Sequence, residues 1–162
     1  MKTRPRAALK KKCIILAKQL CRRLAQDTCA MCGRAGLRDD GRPWKMEAHH
    51  LIPVGRNSYH AADLDNLICL CFRCHKYESS APHYSPELFE RWLQAHLPDR
   101  FAWLQAHRYE TGKVDWAETW EDLRDIEAAM DAETEPSVPW RRALREMESE
   151  PQPPYQENEP CN

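Results

Sequence analysis

Apolar residues recur at three- and four-residue intervals near the start of the chain. Leu9, Cys13, Leu16, Leu20 and Leu24 would share one face of a helix over residues 8–26. Lys10, Lys11, Lys12, Lys18, Arg22 and Arg23 fall on its other faces. Residues 1–7 read as a mobile basic arm. Further on the period shortens. Residues 46–50 read as a strand, 51–54 as the lead into a return strand, 56–65 as a loop and 72–78 as a short helix. Helical spacing returns over residues 85–131. Ser85-Pro86-Glu87 supplies a capping side chain, a proline at the first position and an early acid. Pro98 ends that helix and Asp99 can cap the next, which carries Phe101, Leu104 and Tyr109 and stops by Gly112. Trp116, Trp120, Leu123 and Ile126 mark a third. Tryptophans can stack on bases, but this spacing favours packing in a core or between subunits.

Residues 132–162 hold six prolines and many glutamates. Such a segment buries too little apolar surface to fold well and is expected to be largely disordered. A short helix over residues 140–147 and a free thiol at Cys161 are expected within it. The division is therefore residues 1–26, a basic arm and helix; 27–80, a compact module; 81–131, a helical extension; and 132–162, an acidic proline-rich tail. The fold class is α+β. No repeat is apparent.

The candidate chemistry lies in the module. Cys29 and Cys32 form one Cys-x-x-Cys turn, with Gly33 following to let the backbone bend, and Cys71 and Cys74 form another. Four thiolates suit a tetrahedral zinc ion, and two such turns far apart pin the ends of the intervening segment together. Disulfides would need an oxidising compartment, and no export signal is seen. A cytoplasmic location is expected. The apolar run at residues 13–17 is too short to cross a membrane. Cys69 reads as a buried core thiol rather than a ligand. So small a module has little core of its own, which explains the need for a metal staple.

His49 and His50 are adjacent, so on a strand they point to opposite faces. His75 follows Cys74 directly, so zinc would fix the start of the helix that carries it. The run Asn66-Leu67-Ile68-Cys69-Leu70-Cys71-Phe72-Arg73-Cys74-His75, with Glu47-Ala48-His49-His50 before it, resembles the HNH, or ββα-metal, endonuclease family. The resemblance implies that His49 and His75 ligate a catalytic divalent ion such as Mg²⁺, Mn²⁺ or Ni²⁺. It implies that His50 is the general base and that the Asn66 amide holds the loop and hence the base. Cleavage of DNA would leave 5′-phosphate and 3′-hydroxyl ends. Some relatives carry a further His one turn after the last. Ser79 stands there, so two protein ligands are expected, with water or phosphate completing the shell. His60 in the loop is a candidate third ligand, but a loop residue is more readily expected at the surface. His83, His96 and His107 have no partners by spacing. A weaker resemblance, over residues 8–130, is to the phage NinG/Rap recombination endonucleases. It implies branched DNA as substrate and a bacterial host cytoplasm.

Net charge is only −1, but its distribution is uneven. Residues 1–50 are basic and residues after about 110 acidic, which suggests a DNA-facing end and a solvent-facing end. Lys11, Lys18 and Arg22 on the first helix, away from the His pair, are candidate phosphate contacts. Lys45, Arg56, Arg73 and Lys76 are nearer the module's site. Two other classes fit parts of the sequence: a zinc-knuckle DNA-binding protein without catalysis, and an adaptor that works through its acidic helices. The oligomeric state stays open, a homodimer included.

Overall fold

The computed structural model describes residues 5–38 and 40–132. The expected tail, its short helix and Cys161 lie outside the described residues, as does most of the expected arm. Helix α1 (Pro5–Leu24) begins earlier than the apolar spacing suggests and takes in Ala7 from the expected arm. A proline is compatible with a first turn because that turn has no use for its missing N–H.

Strands β1 (Met46–His50) and β2 (Leu67–Cys71) form an antiparallel pair, with Met46 opposite Cys71 and His50 opposite Leu67. The return strand is therefore β2. Residues 51–54 lie in turns instead, because Leu51 N–H donates to the Asn66 carbonyl at 2.8 Å and closes the loop at its neck. All five residues of β2 are buried. An apolar strand without alternation is expected to be covered on both faces. Helix α1 packs against both strands, and α2 (Phe72–Lys76) folds back on them from the end of β2.

Helices α3 (Pro86–His96), α4 (Pro98–His107) and α5 (Trp116–Asp131) follow. The Ser85 hydroxyl makes no capping hydrogen bond, and Leu97 rather than Asp99 occupies the cap of α4. In both helices the proline starts the turn without help from a side chain. Asp115 caps α5, accepting from Ala117 N and Glu118 N. Tyr109 lies beyond the end of α4 and is exposed.

Within the described residues, part of the acidic stretch lies against the basic first helix. Helix α5 packs along α1: Cys13 Sγ donates to Trp116 O at 3.4 Å, Arg23 pairs with Asp131 at 2.5 Å, and Lys10 and Lys12 lie over the rings of Trp116 and Trp120. Unlike charges on two amphipathic helices draw their polar margins together once their apolar faces meet. Leu20 is fully buried in the core that α1 shares with the sheet. Leu20→Ala should therefore lower unfolding free energy by about 2–5 kcal/mol, as for other buried leucines. Denaturant titration checks this. An unchanged midpoint would mean that α1 is not part of the cooperative fold.

Candidate metal and nuclease site

The sulfurs of Cys29, Cys32, Cys71 and Cys74 lie within 4.8 Å of one another. None of the four is in a disulfide. Cys32 Sγ and Cys71 Sγ are 3.8 Å apart. Sulfurs held at about 2.3 Å around a tetrahedral zinc ion would be separated by about 3.8 Å. The local backbone explains the placement. Gly33 takes φ +67°, and its N–H donates to Cys29 O, which closes the first turn. Cys71 caps α2 by accepting from Cys74 N, and Ala30 N–H donates to Cys69 O, joining the two turns. The thiols titrate against each other. Hydrogen bonds from Cys32 and then Cys74 hold the Cys29 thiol low, and the same Cys29 pushes Cys32 up to about 11 and Cys74 up as well. Four thiolates at this spacing need a cation to share, so the donor set fits zinc. Cys69 lies outside the group, buried, with its thiol pushed up by burial.

A second group is formed by His49, His75 and His83. His49 Nδ1 lies 3.0 Å and His83 Nε2 lies 2.9 Å from the same atom, His75 Nε2. An imidazole nitrogen carries either one hydrogen or one lone pair. His75 Nδ1 faces Glu47 Oε2 at 2.6 Å, so it donates there and leaves Nε2 with its lone pair. That one lone pair cannot accept from two neighbours, but three lone pairs can converge on a cation. Nitrogens about 2.1 Å from an ion and at right angles would be about 3.0 Å apart. Burial, and then His75 and His83, lower the His49 pKa to about 3, so the ring is neutral and free to ligate. Burial also lowers His75, against the pull of Glu47. Burial raises Glu47, but bonds from His75 and Lys45 outweigh it and hold the carboxyl below its ordinary value. A carboxylate behind a ligating histidine fixes its tautomer and raises its basicity.

His50 points the other way. Its Nε2 lies 2.9 Å from Ala61 O, so this nitrogen carries the hydrogen and Nδ1 keeps its lone pair. Burial and, less strongly, Lys18 lower its pKa, against the Ala61 bond. Asn66 is fully buried at the base of the loop. Its Oδ1 accepts from Ile52 N at 2.7 Å, and its Nδ2 donates to Ile52 O and His60 O at 3.1 and 2.8 Å. One side chain thus joins the segment that leaves His50 to the segment that brings Ala61 back to it.

Residues 29–81, about a third of the chain, match the family described as HNH endonuclease. They form an HNH module. Neither the curated proteins nor the solved structures give a match to the chain. The weaker likeness to the NinG/Rap enzymes gains no support from these comparisons.

Several expectations change around the HNH module. His83 supplies a third nitrogen where the sequence predicts only two protein ligands, in place of the position at Ser79. It lies in a turn rather than on a helix, so helical spacing could not find it. His60 is buried, not at the surface. Its Nδ1 lies 3.2 Å from Asp63 Oδ2, and its Nε2 lies 3.3 Å from Glu110 Oε2 without aligning on it. Its ring also meets Trp103 and His107 edge-on. The extension reaches the module in two further ways. The Phe89 ring sits 5.5 Å from the His49 ring. Arg100 donates to the carbonyls of Leu64, Asp65 and Leu67, on both sides of Asn66. No sequence signal marks Arg100. His96 and His107 turn their Nδ1 hydrogens to the carbonyls of Trp92 and Trp103 in their own helices.

The candidate phosphate contacts scatter. Lys11 and Arg56 are exposed, and Arg22 is half-buried on α1. Arg73 pairs with Glu78 at 2.6 Å, and Lys45 and Lys76 flank Glu47 at 3.2 and 3.7 Å. Lys18 is not remote from the His pair, since its charge lowers both His49 and His50. Helix α1 lies on β1 and brings it there.

The two donor groups should separate in experiment. Cys29→Ser or Cys74→Ser should lose the retained metal and the folded state together, because ligand energy is folding energy in a small module. Elemental analysis after mild EDTA dialysis should find about one zinc per wild-type chain. Loss of all metal from a protein that stays folded would refute this. His83→Ala should keep that zinc and weaken binding of an added Mn²⁺ or Ni²⁺ at least tenfold by calorimetry. Unchanged affinity would remove His83 from the ligand set.

Proposed function

We propose that the chain is a metal-dependent endonuclease that hydrolyses DNA phosphodiester bonds. His49, His75 and His83 hold one divalent ion, and His50 is the general base. The observation that carries this reading is the His50 ring. One nitrogen is committed to Ala61 O, and the other is left bare on the residue next to a metal ligand. A bound ion would offset negative charge on the scissile phosphate and on the departing oxygen. His50 Nδ1 takes a proton from the attacking water, and the Ala61 carbonyl stabilises the imidazolium that results. Asn66 acts through position: it fixes the loop neck and the backbone at His60, so that His50 and Ala61 keep their spacing. The products carry 5′-phosphate and 3′-hydroxyl ends. Three imidazoles favour Mn²⁺ or Ni²⁺ over Mg²⁺, which prefers oxygen donors.

Lys11, Lys18, Arg22 and Arg56 would supply affinity for the DNA backbone. Arg73 and Lys76 would contribute less, since each already has an acidic partner. Among the described residues no helix is long and apolar enough to cross a membrane. Branched or recombination DNA as substrate, and a phage origin, rest only on the order of elements along the chain. A zinc-knuckle protein that binds DNA without cutting it would have no use for the His50 tautomer.

Plasmid cleavage with Mg²⁺, Mn²⁺ or Ni²⁺, followed by a screen of linear, nicked and branched DNA, tests the activity and its substrate. His50→Ala should cut on the order of 10²-fold or more slowly, with DNA binding and zinc content retained. Turnover near wild type would take the base role from His50. Absence of cleavage with every ion, despite DNA binding, would favour the non-catalytic reading.

A further inference from the structure

A cleft of about 370 Å³ opens between the start of α1 and the connector from α4 to α5. Arg6 and Lys10 line it from α1, Lys113 from the connector and Ser58 from the loop that follows β1. Among the described residues no carboxylate lines it. The acids nearest in sequence are engaged elsewhere: Asp115 caps α5, and Glu110 faces His60. Gly112 forms part of the wall, and a Cβ there would meet Tyr59 Cε2 at 2.7 Å. With no side chain at this position, the Tyr59 ring packs directly on the connector. Lys10 is held over the Trp116 ring at 5.7 Å, and Arg6 donates to Val114 O at 3.3 Å. Two of the three cations are thus placed before any ligand arrives. Three cations and a hydroxyl without an acid suit an anion with several oxygens.

We propose that this cleft is a second phosphate site, taking a backbone phosphodiester of the same DNA whose scissile bond lies at the histidine cluster. The proposal rests on the nuclease reading above. Two independent paths place the cleft near that cluster. Ser58 precedes Ala61 by three residues, so their Cα atoms are at most roughly 11 Å apart. Ala61 O in turn touches His50. Along α1, Lys10 precedes Lys18 by eight residues, about 12 Å of helix. Helix α1 packs on β1, the strand that carries both His49 and His50. A strand advances about 3.4 Å per nucleotide, so one duplex that reaches both sites would span several nucleotides between them. Arg6, Lys10 and Lys113 all lie outside the family-matched residues, so the parts added around the HNH module would hold the substrate's flank.

The test uses the zinc-loaded full chain with no catalytic ion added, so that binding is read without cleavage. Fluorescence anisotropy with a 20-base-pair duplex compares wild type with the double variant Lys10→Gln, Lys113→Gln. The variant should bind about tenfold more weakly, and its log–log salt slope should fall by about 0.9, the amount for one duplex phosphate left unneutralised. Lys10→Arg with Lys113→Arg should restore both, which separates an effect of charge from one of packing. In a separate assay with Mn²⁺ added, hydrolysis of bis(p-nitrophenyl) phosphate, too small to span both sites, should be the same in wild type and variant. Wild-type affinity and slope in the Gln variant would overturn the proposal. So would tight binding of inorganic phosphate in calorimetry with duplex affinity unaffected by the substitutions, since the cleft would then serve a free anion. Weaker duplex binding in a chain that hydrolyses nothing would support the cleft while refuting the nuclease reading.

Discussion

The module is arranged around four sulfur atoms placed to share one cation. Cys29 and Cys32 come before β1, and Cys71 and Cys74 come after β1 has paired with β2. Joining them fixes the open end, where Met46 faces Cys71, of a two-stranded sheet that would be marginal alone. It also fixes the direction in which α2 leaves β2, because Cys71 is at once a donor to the metal group and the cap of the helix. His75 is the residue after Cys74, so its position is set within one peptide unit of the sulfur cluster. The geometry of the histidine group inherits its accuracy from that of the cysteine group.

A second layer of support comes from outside the module. Arg100 grips the backbone on either side of Asn66, Phe89 covers His49, and Glu110 lies against the buried His60. Each contact acts on the loop or strand that carries a histidine of the site. The helical extension therefore limits how far these histidines can move, which a bare ββα unit with one thin sheet could not do for itself.

The local parts of this arrangement are legible in the sequence. The paired Cys-x-x-Cys turns, the adjacent histidines and His75 are separated by fixed short spacings, and spacing along a chain translates directly into geometry within one turn. The strand at residues 46–50 and the three later helices are readable for the same reason. Meetings between residues far apart are not. His83 reaches the cluster through a turn with no periodicity. Arg100 and Glu110 act on partners dozens of residues away, and His60 looks like loop surface because the elements that bury it come later in the chain. The charge asymmetry is real. Part of that asymmetry is taken up within the fold, where basic residues of α1 meet α5.

That pairing has a consequence for how the chain assembles. Cys13 and Trp116 are 103 residues apart, so α1 cannot bury its outer face until most of the described chain has been made. Metal bound at the four cysteines would short-circuit the 39 residues between Cys32 and Cys71. Chain-closure entropy grows only with the logarithm of loop length, so the shortcut would save about 0.4 kcal/mol. That is too little to recruit the terminal helices through connectivity. Helix α1 is held by direct packing on both strands, and α5 in turn by packing on α1.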